Sequence, residues 1–134
     1  GGGVSAQAEA NHAVVRAYCD AWLKGDAAAI FALYHDDITL HYFGRSPLAG
    51  DHVGKPAAVS VLAKVQQMTN RKLLAIRGTM AGDDYASLIS DERWERDGRT
   101  MDLTRVLVYK IRDGKLFECW IYDEDQRAVD EFWA

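Results

Sequence analysis

Two Asp-Gly pairs, Asp97-Gly98 and Asp113-Gly114, constrain the fold of this chain more than any other feature of its sequence. Each pair lies between runs that are rich in β-branched and aromatic residues. Asp-Gly is a preferred dipeptide of the tight turns that join neighbouring antiparallel strands. We therefore expect a meander of four consecutive antiparallel strands, over residues 72–80, 85–96, 99–111 and 115–122.

The first part of the chain has the spacing of apolar residues that is typical of helices. This spacing runs from Glu9 to Lys24, and Gly25 follows as a residue that readily ends a helix. Asp26 is expected to cap a second helix, which ends at Asp36-Asp37. The short connection predicts that these two helices form an antiparallel hairpin.

Two more helices are predicted, and together with the meander they define a fold class. Pro56 suits the first turn of a third helix, and Asp123 followed by Gln126 resembles the capping box of a helix at the end of the chain. Helices that precede an antiparallel sheet lie on one of its faces, because each buries one apolar surface. Long hairpins curl, so we predict an α+β fold in which helices cross the concave face of a cone-shaped sheet.

Length, charge and cysteine content narrow the class of protein. The chain has 134 residues and a net charge of −4, which fits one domain, predicted over residues 11–134 after a flexible leader over residues 1–10. The negative charge and the absence of Lys/Arg runs disfavour nucleic acid as a partner, and no apolar stretch predicts a membrane span. Cys19 and Cys119 do not make a disulfide framework, so a reduced, cytoplasmic setting is expected.

The residues that face the cone depend on strand parity, because successive side chains point to opposite faces. If Phe117, Cys119 and Ile121 face inward, the two strands before them direct a largely apolar set inward: Leu88, Ser90, Glu92, Trp94, Leu103, Arg105 and Leu107. The opposite register turns in Asp91, Asp102, Trp120 and Tyr122. We favour the first register, because an apolar lining costs less to dehydrate.

His41 is a candidate proton-transfer residue, since it ends a β-patterned run just before the Gly/Pro loop of residues 44–50. Imidazole is the side chain whose ordinary pKa lies near neutrality. A plainer interpretation makes His41 a strand-end residue that bonds the backbone, Asp36 or Asp37. Likewise, Glu92 and Arg105 can form a cross-strand ion pair on the solvent side instead of lining a pocket.

Four stretches of the chain resemble the SnoaL-like branch of the nuclear-transport-factor-2-like superfamily, whose members include polyketide cyclases and ketosteroid isomerases. They are the helical hairpin of residues 13–26, the segment of residues 41–50, the meander that ends at residues 113–120, and the last helix. The resemblance implies a cystatin-like α+β barrel with a pocket inside the cone. It also implies a homodimer formed through the outer face of the sheet.

The resemblance further implies roles for individual residues. Tyr18 stands seven residues before Gly25-Asp26, which is the spacing of the tyrosine that donates to the oxyanion in ketosteroid isomerases. His41 occupies the position of their general base. Their second oxyanion donor falls near Leu107, and the acid of the polyketide cyclases falls at Ile121, so both of these groups are lost here. Tyr18 and Trp22 can equally be packing residues of the first helix.

The leading functional hypothesis is an enzyme without cofactor or metal that transfers protons on a small, hydrophobic, carbonyl-bearing molecule. His41 is expected to be the base and Tyr18 the donor to the developing negative charge. Substrate contacts are expected from Trp22, Leu88, Ser90, Glu92, Trp94, Arg105, Leu107, Cys119 and Ile121. Two alternatives remain: a binding or accessory module of the same fold that catalyses nothing, and a dimer whose cone is filled by side chains.

Overall fold

The fold is an α+β arrangement in a computed structural model of the chain, which describes residues 3–134. The elements, in chain order, are α1 (Ala6–Leu23), α2 (Ala27–Ala32), β1 (Tyr34–Tyr42), β2 (Gly50–Val53), α3 (Lys55–Thr69), β3 (Lys72–Ala81), β4 (Tyr85–Arg96), β5 (Arg99–Arg112), β6 (Lys115–Asp123) and α4 (Gln126–Trp133). None of the helices in this described part is long and apolar enough to cross a lipid bilayer.

The strands form one curved sheet with the order β2-β1-β6-β5-β4-β3. The predicted four-stranded meander is confirmed as β3 to β6, and β1 adds to it by pairing parallel to β6. Asp97, Gly98, Asp113 and Gly114 all have positive φ, as the tight turns between antiparallel strands require. The α+β prediction is therefore confirmed, with a sheet that stays open at β2 and β3 instead of closing into a barrel.

Three predicted element boundaries differ from the structure. Residues 1 and 2 of the predicted leader lie outside the described residues, but α1 already begins at Ala6, because the Ser5 side chain accepts a hydrogen bond from Ala8 N at 3.0 Å. The second helix ends at Ala32 rather than at residues 36 and 37, since the following residues pair with β6. Asp125, not Asp123, caps α4 by accepting from Ala128 N.

The helices cover one face of the sheet, here called the inner face, which comprises the buried strand residues Leu40, Tyr42, Leu88, Ser90, Glu92, Trp94, Arg105, Leu107, Tyr109, Cys119 and Ile121. Cys119 pairs with Tyr109 and Ile121 with Leu107, which is the register that the sequence favours. Phe117 is the exception, because it lies at an irregularity in the β5–β6 pairing, between Leu116 and Glu118. Its ring packs against His35, with ring centroids 5.1 Å apart.

Buried charge on the inner face is organised into two ion pairs. Arg105 donates from Nε and Nη2 to the two carboxylate oxygens of Asp123, at 2.6 and 3.0 Å, and both side chains are 2% exposed. Glu92 pairs with Arg71, which directly follows the left-handed C-cap of α3. The alternative in which Glu92 and Arg105 form an ion pair on the solvent side is therefore wrong, because each residue is buried with a different partner.

Replacement of Asp123 by Asn should destabilise the fold by about 3 kcal/mol, because the buried Arg105 guanidinium then lacks its counter-charge. Urea unfolding measures the change. Asp102→Asn is the matched control on the same sheet, since Asp102 forms an exposed cross-strand pair with Arg93 and its loss should have little effect. Equal destabilisation by the two substitutions would contradict this account.

Candidate functional site

A cavity of about 560 Å³ lies between α1, α2 and α3. Its wall is mostly apolar, and its lining residues are Tyr18, Trp22, Gly25, Ala27, Ile30, Phe31, Leu62, Ala63, Gln66, Gln67 and Arg71. Tyr18 is buried, whereas Gly25, Ala27, Gln66 and Gln67 are exposed, so the cavity deepens from these four residues towards Tyr18. Its volume and apolar lining with a few polar groups are typical of small-molecule sites.

Arg71 is the charged residue of this wall, and Glu92 holds it in place. Arg71 donates from Nε and Nη2 to the two oxygens of Glu92, at 2.5 and 3.1 Å. The guanidinium also lies over the Trp22 ring, 4.5 Å from its centroid. This leaves the Nη1 edge of Arg71 without a hydrogen bond to residues 3–134.

Glu92 is ionised although it is completely buried. Ser90 Oγ and Trp94 Nε1 donate to it at 2.8 and 3.2 Å, in addition to Arg71. Burial raises the pKa of Glu92, but the charges of Arg71 and Arg105 and these hydrogen bonds outweigh burial, so the pKa lies below its ordinary value. A carboxylate that is engaged in this way is a poor proton acceptor, and it acts as an anchor for Arg71.

Tyr18 forms the deep end of the cavity within a group of aromatic rings. Its ring centroid lies 5.5 Å from that of Tyr109 and 6.3 Å from that of Tyr34. Burial raises the pKa of Tyr18 in spite of the opposing charge of Arg71, so its phenol is protonated at neutral pH. A protonated phenol in this position is a hydrogen-bond donor, not a base.

Apart from His41, the predicted site residues divide into two groups. Tyr18 and Trp22 line the cavity. The others are buried on the inner face without lining it: Leu88, Ser90, Glu92, Trp94, Arg105, Leu107, Cys119 and Ile121. The inner end of the predicted cone is thus filled by packed side chains, and the open volume lies nearer the helices.

The prediction that His41 faces the same hollow as Tyr18 is wrong. In β1, Leu40 and Tyr42 are buried on the inner face, so the alternation of strand side chains places His41 on the opposite, outer face. There its ring stacks on Trp120, with ring centroids 5.3 Å apart. His41 therefore cannot act on a molecule in the cavity.

Carboxylates, not a cavity, surround His41. Its Nδ1 lies 2.6 Å from Asp51 Oδ1, and its Nε2 lies 2.5 Å from Glu118 Oε2. Burial lowers the pKa of His41, but the hydrogen bonds to Glu118 and Asp51 and the charges of these carboxylates outweigh burial, so the pKa lies above its usual value of 6.5. The histidine links β2, β1 and β6, which is a structural role.

The Gly/Pro loop after β1 packs against α4. Arg45 N donates to Asp130 Oδ1 at 2.9 Å, and Gly44, which has φ of 99°, lies so close to Gln126 and Asp130 of α4 that a Cβ would overlap them. The loop closes over α4. The sequence suggested that this loop forms the mouth of a pocket beside His41, but no such pocket lies there among the described residues.

One feature of the sequence could have pointed to Arg71, namely the predicted inward orientation of Glu92. Glu92 was expected to point inward, and a buried carboxylate needs a cationic partner. Arg71 is a natural candidate, because it precedes the neighbouring strand β3, in which Leu73 pairs with Glu92. An inward Glu92 thus implied a buried cation beside it, and the structure identifies that cation as Arg71.

The outer face carries aromatic and apolar side chains that neighbour each other across the strands. Tyr85 and Tyr122 are about half exposed, and Trp120 lies between His41 and Tyr85. Such a surface is compatible with an interface between subunits. The homodimer stays a prediction.

Comparisons with known proteins identify the family and the fold. The family model described as the SnoaL-like domain matches residues 15–119. Among proteins of curated function, none matches this sequence at a significant level. Solved structures that share the fold include proteins proposed to be polyketide cyclases.

Three solved structures show the extent of the similarity. Bal32a, from a soil-derived mobile gene cassette, has 27% identity and a TM-score of 0.87, over 96% of this chain and 99% of its own. A protein from Xanthomonas campestris with a cystatin-like fold has 24% identity and a TM-score of 0.84, over 91% and 96%. A nuclear-transport-factor-2-like protein from Burkholderia xenovorans has 22% identity and a TM-score of 0.76, over 96% and 98%.

Substitution of His41 by Gln should destabilise the fold more at pH 6 than at pH 9. Because the folded state raises the pKa of His41, the charged form contributes its full stability below pH 6.5 and loses it as pH rises through the raised pKa. Urea unfolding of both proteins at the two pH values measures the difference. The pH dependence should vanish in an Asp51→Asn/Glu118→Gln background, and an equal effect at both pH values would refute the assignment.

Proposed function

Because this chain belongs to the SnoaL-like domain family and has a cavity between α1, α2 and α3, we propose that it binds a small hydrophobic molecule bearing a carbonyl-type oxygen. The observation that carries this proposal is the cavity itself, in which Tyr18 and Arg71 are hydrogen-bond donors on an otherwise largely apolar wall. Trp22, Ile30 and Phe31 are half-buried there and offer surface for an apolar ligand body.

The contacts around the two donors favour an electron-rich oxygen as the ligand group that they recognise. The guanidinium of Arg71 donates hydrogen bonds and accepts none, and the protonated phenol of Tyr18 has a proton to donate. Burial lowers the local dielectric constant, so each donor contributes more than it would in water. A ligand without an acceptor oxygen would leave both donors unsatisfied, at a cost in affinity.

Binding of the neutral, carbonyl-bearing fluorophore prodan (6-propionyl-2-dimethylaminonaphthalene) tests the proposal. A blue shift of its emission reports transfer into an apolar site. Leu62→Trp should weaken binding by about tenfold or more, because the larger ring fills the cavity and each 1.4 kcal/mol lost is a factor of ten. Met68→Trp is the matched control, since Met68 lies on the same helix α3 but is not part of the cavity wall.

The expected result is normal prodan binding by Met68→Trp and weakened binding by Leu62→Trp. Absence of binding to the unsubstituted protein would refute the proposal. So would unchanged binding by Leu62→Trp in a correctly folded variant, because the probe would then occupy another surface.

Proton transfer on the bound molecule is a second candidate function, and the donor pair favours it. Negative charge grows on a carbonyl oxygen when a proton leaves the neighbouring carbon, and prearranged donors stabilise that charge. Within the described cavity wall no carboxylate or imidazole is present, so the proton acceptor in this candidate is a hydroxide ion or a buffer base that enters from solvent. His41 plays no part in it.

Exchange of the α-protons of 2-tetralone in deuterated buffer, followed by NMR, tests the second candidate. The protein should accelerate exchange over buffer alone, and Tyr18→Phe should reduce this acceleration by about 10²-fold, the usual effect of removing one oxyanion donor. Tyr85→Phe, which removes an exposed phenol on the outer face, is the control. Exchange at the buffer rate would refute proton transfer and leave ligand binding intact.

A further inference from the structure

The charged residues that line the cavity are of one sign only. A second cavity of about 440 Å³ adjoins the first and shares Trp22, Gly25, Gln66 and Arg71 with it. The charged residues that line the two cavities are Arg71, Lys24 and Lys72, all cationic. This contrasts with the net charge of −4 of the whole chain, so the positive lining is a local property of this site.

Resting on the proposed function, we infer that the ligand is an anion and that Arg71 is the residue that selects it. The ligand class is a hydrophobic molecule with a carboxylate or an ionised enol, whose charged oxygens meet the free edge of the Arg71 guanidinium. The neighbouring carboxylate does not block this contact, because Glu92 bonds the Nε and Nη2 side of the guanidinium and lines neither cavity.

The contacts of Arg71 prepare it for this role. Glu92 fixes one edge of the guanidinium, and the Trp22 ring covers one face at 4.5 Å. A planar guanidinium that is held on one edge and one face presents its remaining edge in a fixed orientation, which suits planar oxygen pairs. Its side chain is only 9% exposed, so water screens its charge weakly.

Lys24 and Lys72 add a weaker, longer-range effect. Both side chains lie at the exposed end of the second cavity, and Lys72 Nζ is 3.4 Å from Glu95 Oε1, an exposed and therefore weak pair. Cations around an opening raise the local concentration of anions. Arg71 therefore provides selection at the cavity wall, and the lysines favour entry.

A matched pair of probes, 2-naphthoate and 2-naphthamide, separates charge from shape. The two molecules share the naphthalene body, and they differ in whether the end group is a carboxylate or a neutral amide. Calorimetric titration at pH 7.5 should give about tenfold tighter binding of naphthoate to the unsubstituted protein, since hydrogen bonds to charged groups are the stronger ones.

Arg71→Met/Glu92→Gln should bring the affinity ratio of the two probes close to one while naphthamide still binds. The double substitution removes both partners of the buried pair, so it avoids an unpaired carboxylate, and circular dichroism checks that it folds. Arg71→Lys should retain part of the preference for naphthoate, because the charge stays. Lys64→Met, which removes a cation from the exposed side of α3, is the control and should keep the full ratio.

The outcomes distinguish this inference from the proposed function. Equal affinities of the unsubstituted protein for both probes would overturn the anion preference and leave small-molecule binding in place. A preference that survives in Arg71→Met/Glu92→Gln would overturn the assignment of Arg71. Failure of both probes to bind the unsubstituted protein would refute the proposed function itself.

Discussion

The buried inner face of the sheet can hold four charged side chains only because their charges cancel. Two arginines and two carboxylates meet there as Arg71–Glu92 and Arg105–Asp123, and an unpaired ion in this place would cost several kcal/mol. These pairs fix positions far apart in the sequence. Arg71 ties the end of α3 to β4, and Asp123 ties the end of β6 to β5 just before α4 begins.

The same pairing creates the chemistry of the cavity. Glu92 has four hydrogen-bond donors and is buried away from the opening, so the ligand-facing surface shows a guanidinium and not a carboxylate. Tyr18 adds a neutral donor to this surface. The result is a mostly apolar site with donors concentrated at one part of its wall, and we propose that an electron-rich ligand oxygen binds there.

The elements that local rules determine were predicted correctly from the sequence. The features that depend on pairing between residues far apart in the chain were not. The Asp-Gly turns set the β4–β5 and β5–β6 hairpins, and strict alternation then placed Glu92, Arg105 and Cys119 on the buried face. His41 was misplaced because the resemblance assigned its role, whereas alternation with the buried Leu40 and Tyr42 puts it on the outer face. Its strand joins the sheet by parallel pairing with β6, which no local pattern announces. The same pairing turned residues 34–37 from predicted helix into strand. Arg71 was missed because its partner is 21 residues away.

A crystal structure of the protein with bound 2-naphthoate is the sharpest test of the role of Arg71, because it shows where the carboxylate lies. The account predicts the naphthalene ring between Trp22, Phe31 and Leu62, with carboxylate oxygens within hydrogen-bond distance of Arg71 Nη1. A ligand bound on the outer face beside His41 and Trp120, or one in the cavity with its carboxylate turned towards solvent, would contradict it.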